Sequence, residues 1–151
     1  MTLRGYSARL AVAAIVFVVS IACGGPDTVN PEPAQNVEAY FAGTDATGNL
    51  HVHVHFRQNG KTLTQIDPCV PQDECRIYPY TPTGQTELGS QFPVDLASGS
   101  GTFNDPGITF TVTTTNGKTF NFTGTVVQSK QMIGTISGAT HPASALQLDK
   151  Q

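Results

Sequence analysis

The chain has 151 residues, a formal net charge of −3 and only 13% charged residues, against about 25% in ordinary globular proteins. Threonine (20), glycine (15) and proline (10) are abundant instead, which excludes a helical bundle or coiled coil, because those need alanine, leucine, glutamate and lysine at helical spacing. The few cations of this acidic chain are scattered, so we expect no nucleic-acid partner.

The first 22 residues have the plan of a secretory signal peptide. Arg4 and Arg9 stand in a start without acidic residues, and an apolar run from Leu10 to Ala22 follows, interrupted only by Ser20. This run is short for a membrane-spanning helix, which needs about 20 apolar residues. The pattern therefore predicts an export leader over residues 1–22.

The end of the leader, Ser20-Ile21-Ala22-Cys23, resembles the lipobox of bacterial lipoproteins. The resemblance implies cleavage before Cys23, a diacylglycerol on the Cys23 sulfur and acylation of the new amino terminus, with the lipid membrane as a partner. Ser20 departs from the family, which prefers leucine there; the alternatives are an ordinary cleaved leader or an uncleaved anchor. Gly24 after the cysteine favours the outer membrane over the inner, with the domain in the periplasm or at the cell surface.

Residues 23–36 are predicted to form a disordered tether. The stretch contains three prolines and almost no apolar residue, so it has nothing to bury in a core. At about 3.1 Å per residue it can extend roughly 40 Å. We expect it to hold the domain that follows, residues 37–151, clear of the lipid surface.

Two further cysteines, Cys69 and Cys75, are predicted to form a disulfide. They are the cysteines that remain if Cys23 is lipidated, and the five residues between them lie in a turn-rich segment that can bring the sulfurs together. An oxidising envelope preserves such a bond. Metal binding by the pair is the alternative, although no Cys-x-x-Cys motif or second ligand pair lies nearby.

Residues 37–151 predict an all-β domain with little or no helix. Short alternating runs are separated by turn signals, of which Asn59-Gly60 and Asn116-Gly117 are the strongest. Residues 67–90 are expected to be mainly loop, with an edge strand at 76–80. The other candidate strands are 37–43, 50–56, 61–66, 97–104, 108–115, 118–128, 131–138 and 144–150.

About eight strands joined by tight hairpins form an antiparallel meander, which must protect its edges and cover one apolar face. We expect closure into a small β-barrel, with a β-sandwich as the alternative, because glycines at 99, 101, 124, 134 and 138 lie inside strands, where coiling needs them. We expect the interior to be filled by side chains, bulky ones among them: Phe56, Phe110, Phe120 and Phe122.

Thr123-Gly-Thr125 and Met132–Gly138 resemble the closing strands of small up-and-down barrels of the lipocalin and avidin type. This resemblance covers about 40 residues. It implies a fold and no ligand. The absence of tryptophan is a departure, since both families place a tryptophan near the start of the barrel.

The strand that begins at Leu50 places His51, His53 and His55 on one face, opposite an apolar set. Neighbouring imidazoles on such a face lie about 6.5–7 Å apart, and two of them can share Zn²⁺ or Cu²⁺. A third ligand would come from a neighbouring strand, and the candidates are His141, Glu38 and Asp149. The other interpretation is a solvent-facing polar stripe with no metal and no cofactor.

The aromatic residues Tyr78, Tyr80 and Phe92 are expected to plug one end of the barrel, with an exposed rim as the alternative. The chain contains no Gly-x-Ser-x-Gly elbow, phosphate-binding loop or dinucleotide fingerprint, so we expect no enzyme. The sequence predicts an envelope lipoprotein that displays a binding or structural barrel to an envelope protein or small ligand. The alternatives are a carrier of an apolar ligand inside the barrel and a metal-binding protein that uses the histidine strand.

Overall fold

The computed structural model describes residues 35–65 and 75–151, which form nine strands and one short helix. The strands are β1 (Ala39–Thr44), β2 (Leu50–Asn59), β3 (Thr62–Gln65), β4 (Arg76–Pro79), β5 (Val94–Asn104), β6 (Gly107–Thr114), β7 (Thr119–Val127), β8 (Gln131–Gly138) and β9 (His141–Lys150); the helix is α1 (Pro82–Leu88). Within these two ranges, no helix is long and apolar enough to cross a membrane. The predicted leader, Cys23, most of the tether and Cys69 lie outside them, so lipidation and the Cys69–Cys75 disulfide stay predictions.

The strands close into an antiparallel barrel of eight positions. Strands β5 to β9 pair in chain order, and β1 completes the ring because it pairs with both β9 and β2. Strands β3 and β4 share one position: each pairs with β2 on one side and β5 on the other, at opposite ends. The predicted barrel is therefore confirmed, and the sandwich alternative is not what forms.

Phenylalanine rings occupy the barrel interior, as the alternation predicts. Phe110 lies between Phe56 and Phe122, with ring centroids 4.8 Å from each. These three rings and Phe120 are all at most 3% exposed. Packing of this kind removes about 150–250 Å² of aromatic surface per ring from water and provides much of the free energy of folding.

Glycines allow two neighbouring strands to approach closely on the inner face of the barrel. Gly124 of β7 and Gly134 of β8 are directly opposite each other. A Cβ atom at Gly124 would lie 2.4 Å from the carbonyl oxygen of Ile133, and one at Gly134 would lie 2.2 Å from that of Thr123. Both positions exclude any side chain, which agrees with the prediction that glycines inside the strands serve the coiling of the sheet.

Residues 82–88 form helix α1, where the sequence had indicated loop. Thr81 caps the helix, its hydroxyl accepting a hydrogen bond from the Gly84 amide at 3.1 Å, and Gly89 ends it in a left-handed conformation with φ of 73°. The helix covers one end of the barrel, because Leu88 is buried and its carbonyl accepts a hydrogen bond from the Asn116 side chain. A helix of seven residues is too short to show a clear apolar period.

The chain enters the barrel at the end opposite α1. Gln35 hydrogen-bonds to Asp105 in the β5–β6 turn and to the amide of Ser129 in the β7–β8 turn, and Asn36 donates to the Ser129 hydroxyl. The last two residues of the predicted tether thus contact the barrel. From there β1 runs roughly 17 Å towards the α1 end, at about 3.3 Å per residue.

Candidate binding face

The three histidines of β2 lie on the outer surface of the barrel. Their side chains are half-buried, whereas the alternating residues Leu50, Val52, Val54 and Phe56 are completely buried inside. The alternation predicted from the sequence is confirmed. The rings of His51 and His53 lean together, with centroids 4.5 Å apart.

Strand β1 supplies hydroxyl partners to two of these histidines. Thr44 is the cross-strand partner of His51, and its Oγ1 lies 2.7 Å from His51 Nδ1. The phenol of Tyr40 is hydrogen-bonded to His53 Nδ1. In each pair the donor depends on the histidine tautomer. Both imidazoles are therefore held in fixed orientations on the surface.

Strand β4 and the residue directly after it bring two more tyrosines to the same surface. Tyr78 is the cross-strand partner of His51, and its ring lies 5.0 Å from that of His53. The Tyr80 ring is stacked on His51 at 5.5 Å and 29°, and Tyr80 is 60% exposed. We call this surface the His/Tyr face; its residues are Tyr40, His51, His53, His55, Tyr78 and Tyr80. They include every tyrosine of the chain beyond the leader.

The expectation that Tyr78, Tyr80 and Phe92 plug the barrel is wrong. Ile77 points into the interior and is fully buried, so its neighbour Tyr78 must point outward on the strand. Tyr80 and Phe92 are both more than half exposed. Helix α1 covers the barrel end instead.

A shallow groove of about 620 Å³ runs along the His/Tyr face, between β2 and β9. Ala42 of β1 forms its floor, because Ala42 pairs with His53 on one side and with Asp149 on the other. Thr44 and Gln147 also line it. The closure of the barrel between its first and last strands therefore creates the groove.

Of the three predicted partners of the histidine row, one lies at the groove. Asp149 lines it together with His51 and His53. Glu38 accepts a hydrogen bond from the Gln58 amide, and His141 is buried near helix α1. In the described part of the chain, no group of three or more histidine, cysteine or acidic side chains is placed to hold a metal.

Burial of His51 lowers its pKa, because the charged ring would lose hydration beneath Tyr80. The unfolded chain then holds the proton more tightly, so His51 contributes stability above about pH 6.5 that is lost as the pH falls through its folded pKa. We expect NMR titration of the imidazole signals, assigned with His51→Gln, to give a midpoint for His51 below about 6.5. A midpoint at or above that value would contradict the burial argument.

A second cluster of titratable groups lies buried at the α1 end, and the sequence did not reveal it. His141 Nδ1 is hydrogen-bonded to Glu87 of α1, and His141 Nε2 lies 3.6 Å from Asp45 Oδ2. Ser144 donates to the same Asp45 oxygen at 2.8 Å. Burial alone would raise the pKa of Asp45, but hydrogen bonds from Thr47, Leu50 and Ser144 outweigh it and hold the pKa below its ordinary value.

This cluster has the arrangement of a structural network. The Ser144 hydroxyl donates to a carboxylate, and His141 Nε2 has no hydrogen-bond partner among the described residues. No serine–histidine hydrogen bond of the kind that activates a nucleophile is therefore formed there. Asp45, Glu87, His141 and Ser144 are each at most 6% exposed.

No protein-family model matches the chain, and no curated protein matches it. One solved structure that resembles it is a de novo designed fluorescence-activating β-barrel. It has 13% sequence identity and a TM-score of 0.48, over 74% of this chain and 89% of that one. The strand pairing of the present chain by itself closes the barrel.

Proposed function

We propose that the protein is a bacterial envelope lipoprotein, anchored through acylated Cys23, that displays its β-barrel as a non-enzymatic binding module. The His/Tyr face is the proposed binding surface. The anchor places the barrel at a membrane, with the outer membrane favoured over the inner. The partner is another component of the envelope.

One observation carries the anchoring proposal: Cys23 stands directly behind a basic start, an apolar run and the small residue Ala22. This order of features is that of an export leader. A single cysteine at that boundary is the residue that lipoprotein processing requires. The proline-rich residues that follow suit a spacer between lipid and domain.

The position of the His/Tyr face supports a role in display. Gln35 and Asn36 contact the turns at one end of the barrel. His51 and Tyr80 lie near the other end, because His51 pairs with Thr44 at the far end of β1. A tether that joins the barrel to a membrane reaches the barrel at the Gln35 end. The opposite end therefore stays accessible to a partner.

Two observations support a module that is not catalytic and that carries no ligand inside the barrel. The buried cluster of Asp45, Glu87 and His141 is closed to solvent, so a substrate would not reach it. The interior, where a carrier would hold an apolar ligand, is occupied by the stacked ring of Phe110 and its neighbours.

Metabolic labelling with a fatty-acid analogue tests the anchor. In a bacterial host, we expect the wild-type protein to incorporate the label and partition into the detergent phase of a cloud-point separation. Cys23→Ser should lose the label completely, because serine has no sulfur to receive the diacylglycerol.

Ser20→Leu is the matched control for this experiment. It introduces the residue that the lipoprotein family prefers, so labelling should persist or increase. If wild type and Cys23→Ser are labelled equally, or neither is labelled, the anchoring proposal is wrong.

A further inference from the structure

The groove on the His/Tyr face has the dimensions of a small-molecule site. Its volume of about 620 Å³ lies within the usual range of about 300–1,000 Å³. His53 and Asp149 stand on either side of Ala42, about 10 Å apart, which is twice the spacing of neighbouring strands. A ligand lying on the alanine would touch polar side chains on both walls.

The charge of the groove argues against an anionic ligand. Asp149 is its one formally charged side chain among the described lining residues, and neither lysine nor arginine is among them. Burial lowers the pKa of His51, which disfavours its protonated form. A phosphate or carboxylate ligand would meet the Asp149 charge with no lysine or arginine among the described lining residues to balance it.

The polar groups of the groove argue against an apolar ligand. Gln147 donates to Asp149 Oδ1 at 3.0 Å, and Gln131 donates to the same oxygen at 2.8 Å. Carboxylate and amide groups thus lie together on one wall. Covering them with an acyl chain would remove their hydration and give no hydrogen bond in return.

An exposed aromatic ring borders the same surface. Tyr80 is 60% exposed and is held in place by stacking on His51. Such a ring presents an apolar side to a ligand at little further entropic loss, since its orientation is already restrained. A fixed aromatic ring together with planar hydrogen-bonding groups suits a ligand that has both apolar C–H surfaces and hydroxyl groups.

We propose that this groove, with Tyr80 at its border, binds a neutral oligosaccharide. The C–H side of a pyranose ring packs on an aromatic face, and neighbouring sugar hydroxyls pair with carboxylate and amide groups such as those of Asp149 and Gln147. The proposal rests on the proposed function, because it names the ligand class for the displayed face. Lipid labelling and sugar binding are separate measurements, so either can fail without the other.

The test uses the purified full protein in a polyoxyethylene detergent, which has no sugar headgroup to compete. The chain contains no tryptophan, so its intrinsic fluorescence reports on tyrosine, and every tyrosine beyond the leader belongs to the His/Tyr face. The probes are cellohexaose, maltohexaose, laminarihexaose and N-acetylchitohexaose. Zinc chloride, copper chloride and inorganic phosphate are titrated in parallel, and calorimetry is the second readout.

We expect at least one hexasaccharide to bind saturably, with a Kd below about 1 mM. Tyr80→Ala and Asp149→Ala should each weaken that binding at least about tenfold, since each removes one of the two kinds of contact. Thr111→Ala is the control; it removes a polar side chain from the outer surface of β6, which lies at least three strand positions from β2 around the ring. Its binding should remain within about twofold of wild type.

Three results would each overturn the proposal. The first is no saturable response to any of the four hexasaccharides. The second is sugar binding that neither Tyr80→Ala nor Asp149→Ala weakens. The third is binding of zinc, copper or phosphate by the wild type in the absence of sugar binding, which would identify a metal or anion site instead.

Discussion

Replacing Asp45 with alanine should lower the free energy of unfolding by about 3–5 kcal/mol. The Asp45 carboxylate accepts hydrogen bonds from the amides of Leu50 and Thr47, at 2.8 and 3.0 Å, and from the hydroxyls of Thr47 and Ser144. Its removal leaves the buried Leu50 amide and the buried Ser144 hydroxyl without this acceptor, and each such donor costs about 1–3 kcal/mol. Chemical denaturation followed by far-ultraviolet circular dichroism measures the loss.

Asp95→Ala is the matched control for Asp45→Ala. Asp95 forms an ion pair with Arg76 at 2.6 Å, but its side chain is 59% exposed. Water screens such a pair, so its loss should cost no more than about 1 kcal/mol. Equal losses for the two variants would show that the buried cluster does not stabilise the α1 end of the barrel.

The Asp45 effect should also depend on pH. The folded state holds the pKa of Asp45 below its ordinary value, so the unfolded state binds the proton more tightly. The stabilisation is therefore present above about pH 4 and is lost as the pH falls through the folded pKa. The difference in the free energy of unfolding between wild type and Asp45→Ala should therefore become smaller under acidic conditions.

Phe110→Ala should lower the free energy of unfolding by a similar amount, about 3–5 kcal/mol, because it removes the middle ring of the interior stack. Its neighbours Phe56 and Phe122 cannot close the gap without moving the strands that carry them. Denaturation curves of wild type and variant give the difference. The dependence of the free energy of unfolding on denaturant concentration should be unchanged. An unchanged slope shows that the variant has lost packing in the folded state and has not changed the unfolded state.

Phe92→Ala is the control for Phe110→Ala, because it makes the same substitution at another position. Phe92 is 65% exposed. The substitution should therefore alter the free energy of unfolding by no more than about 0.5 kcal/mol. If Phe110→Ala were as mild as Phe92→Ala, the phenylalanine stack would not be the core of the barrel.

The strands and the barrel could be predicted because the evidence for them is local. Alternation at Leu50–Phe56 fixed which side chains point inward, and the turns at Asn59-Gly60 and Asn116-Gly117 set the hairpins. Gly60 and Gly117 have positive φ values of 57° and 81°, which these turns require. Each of these patterns depends on residues close together in the chain.

The positions of β4 and α1 could not be predicted in the same way. The prediction of a strand at 76–80 is right, but the prediction that it is an edge strand is wrong, because β4 pairs with both β2 and β5. It shares one barrel position with β3, which alternation within the strand does not indicate. Helix α1 buries few side chains, so it has little periodicity; its signals were the capping residues Thr81 and Gly89. Those signals are common in loops as well.

The candidate binding face could be predicted only in part. The histidine row follows from alternation on one strand, but the groove requires the pairing of β1 with β9, which brings Asp149 beside His53. Tyr80 follows β4, whose pairing with β2 puts the ring on His51. These are contacts between distant parts of the chain, and alternation within one strand carries no information about them.

The intact mass of the mature protein, isolated from cell membranes, tests the proposed anchor most directly. We expect a chain that begins at Cys23 and is heavier than residues 23–151 by a diacylglycerol and an amide-linked acyl group, with the ester-linked part removed by mild base. A mass that matches all 151 residues, or a chain cleaved elsewhere without acyl groups, would contradict an envelope lipoprotein.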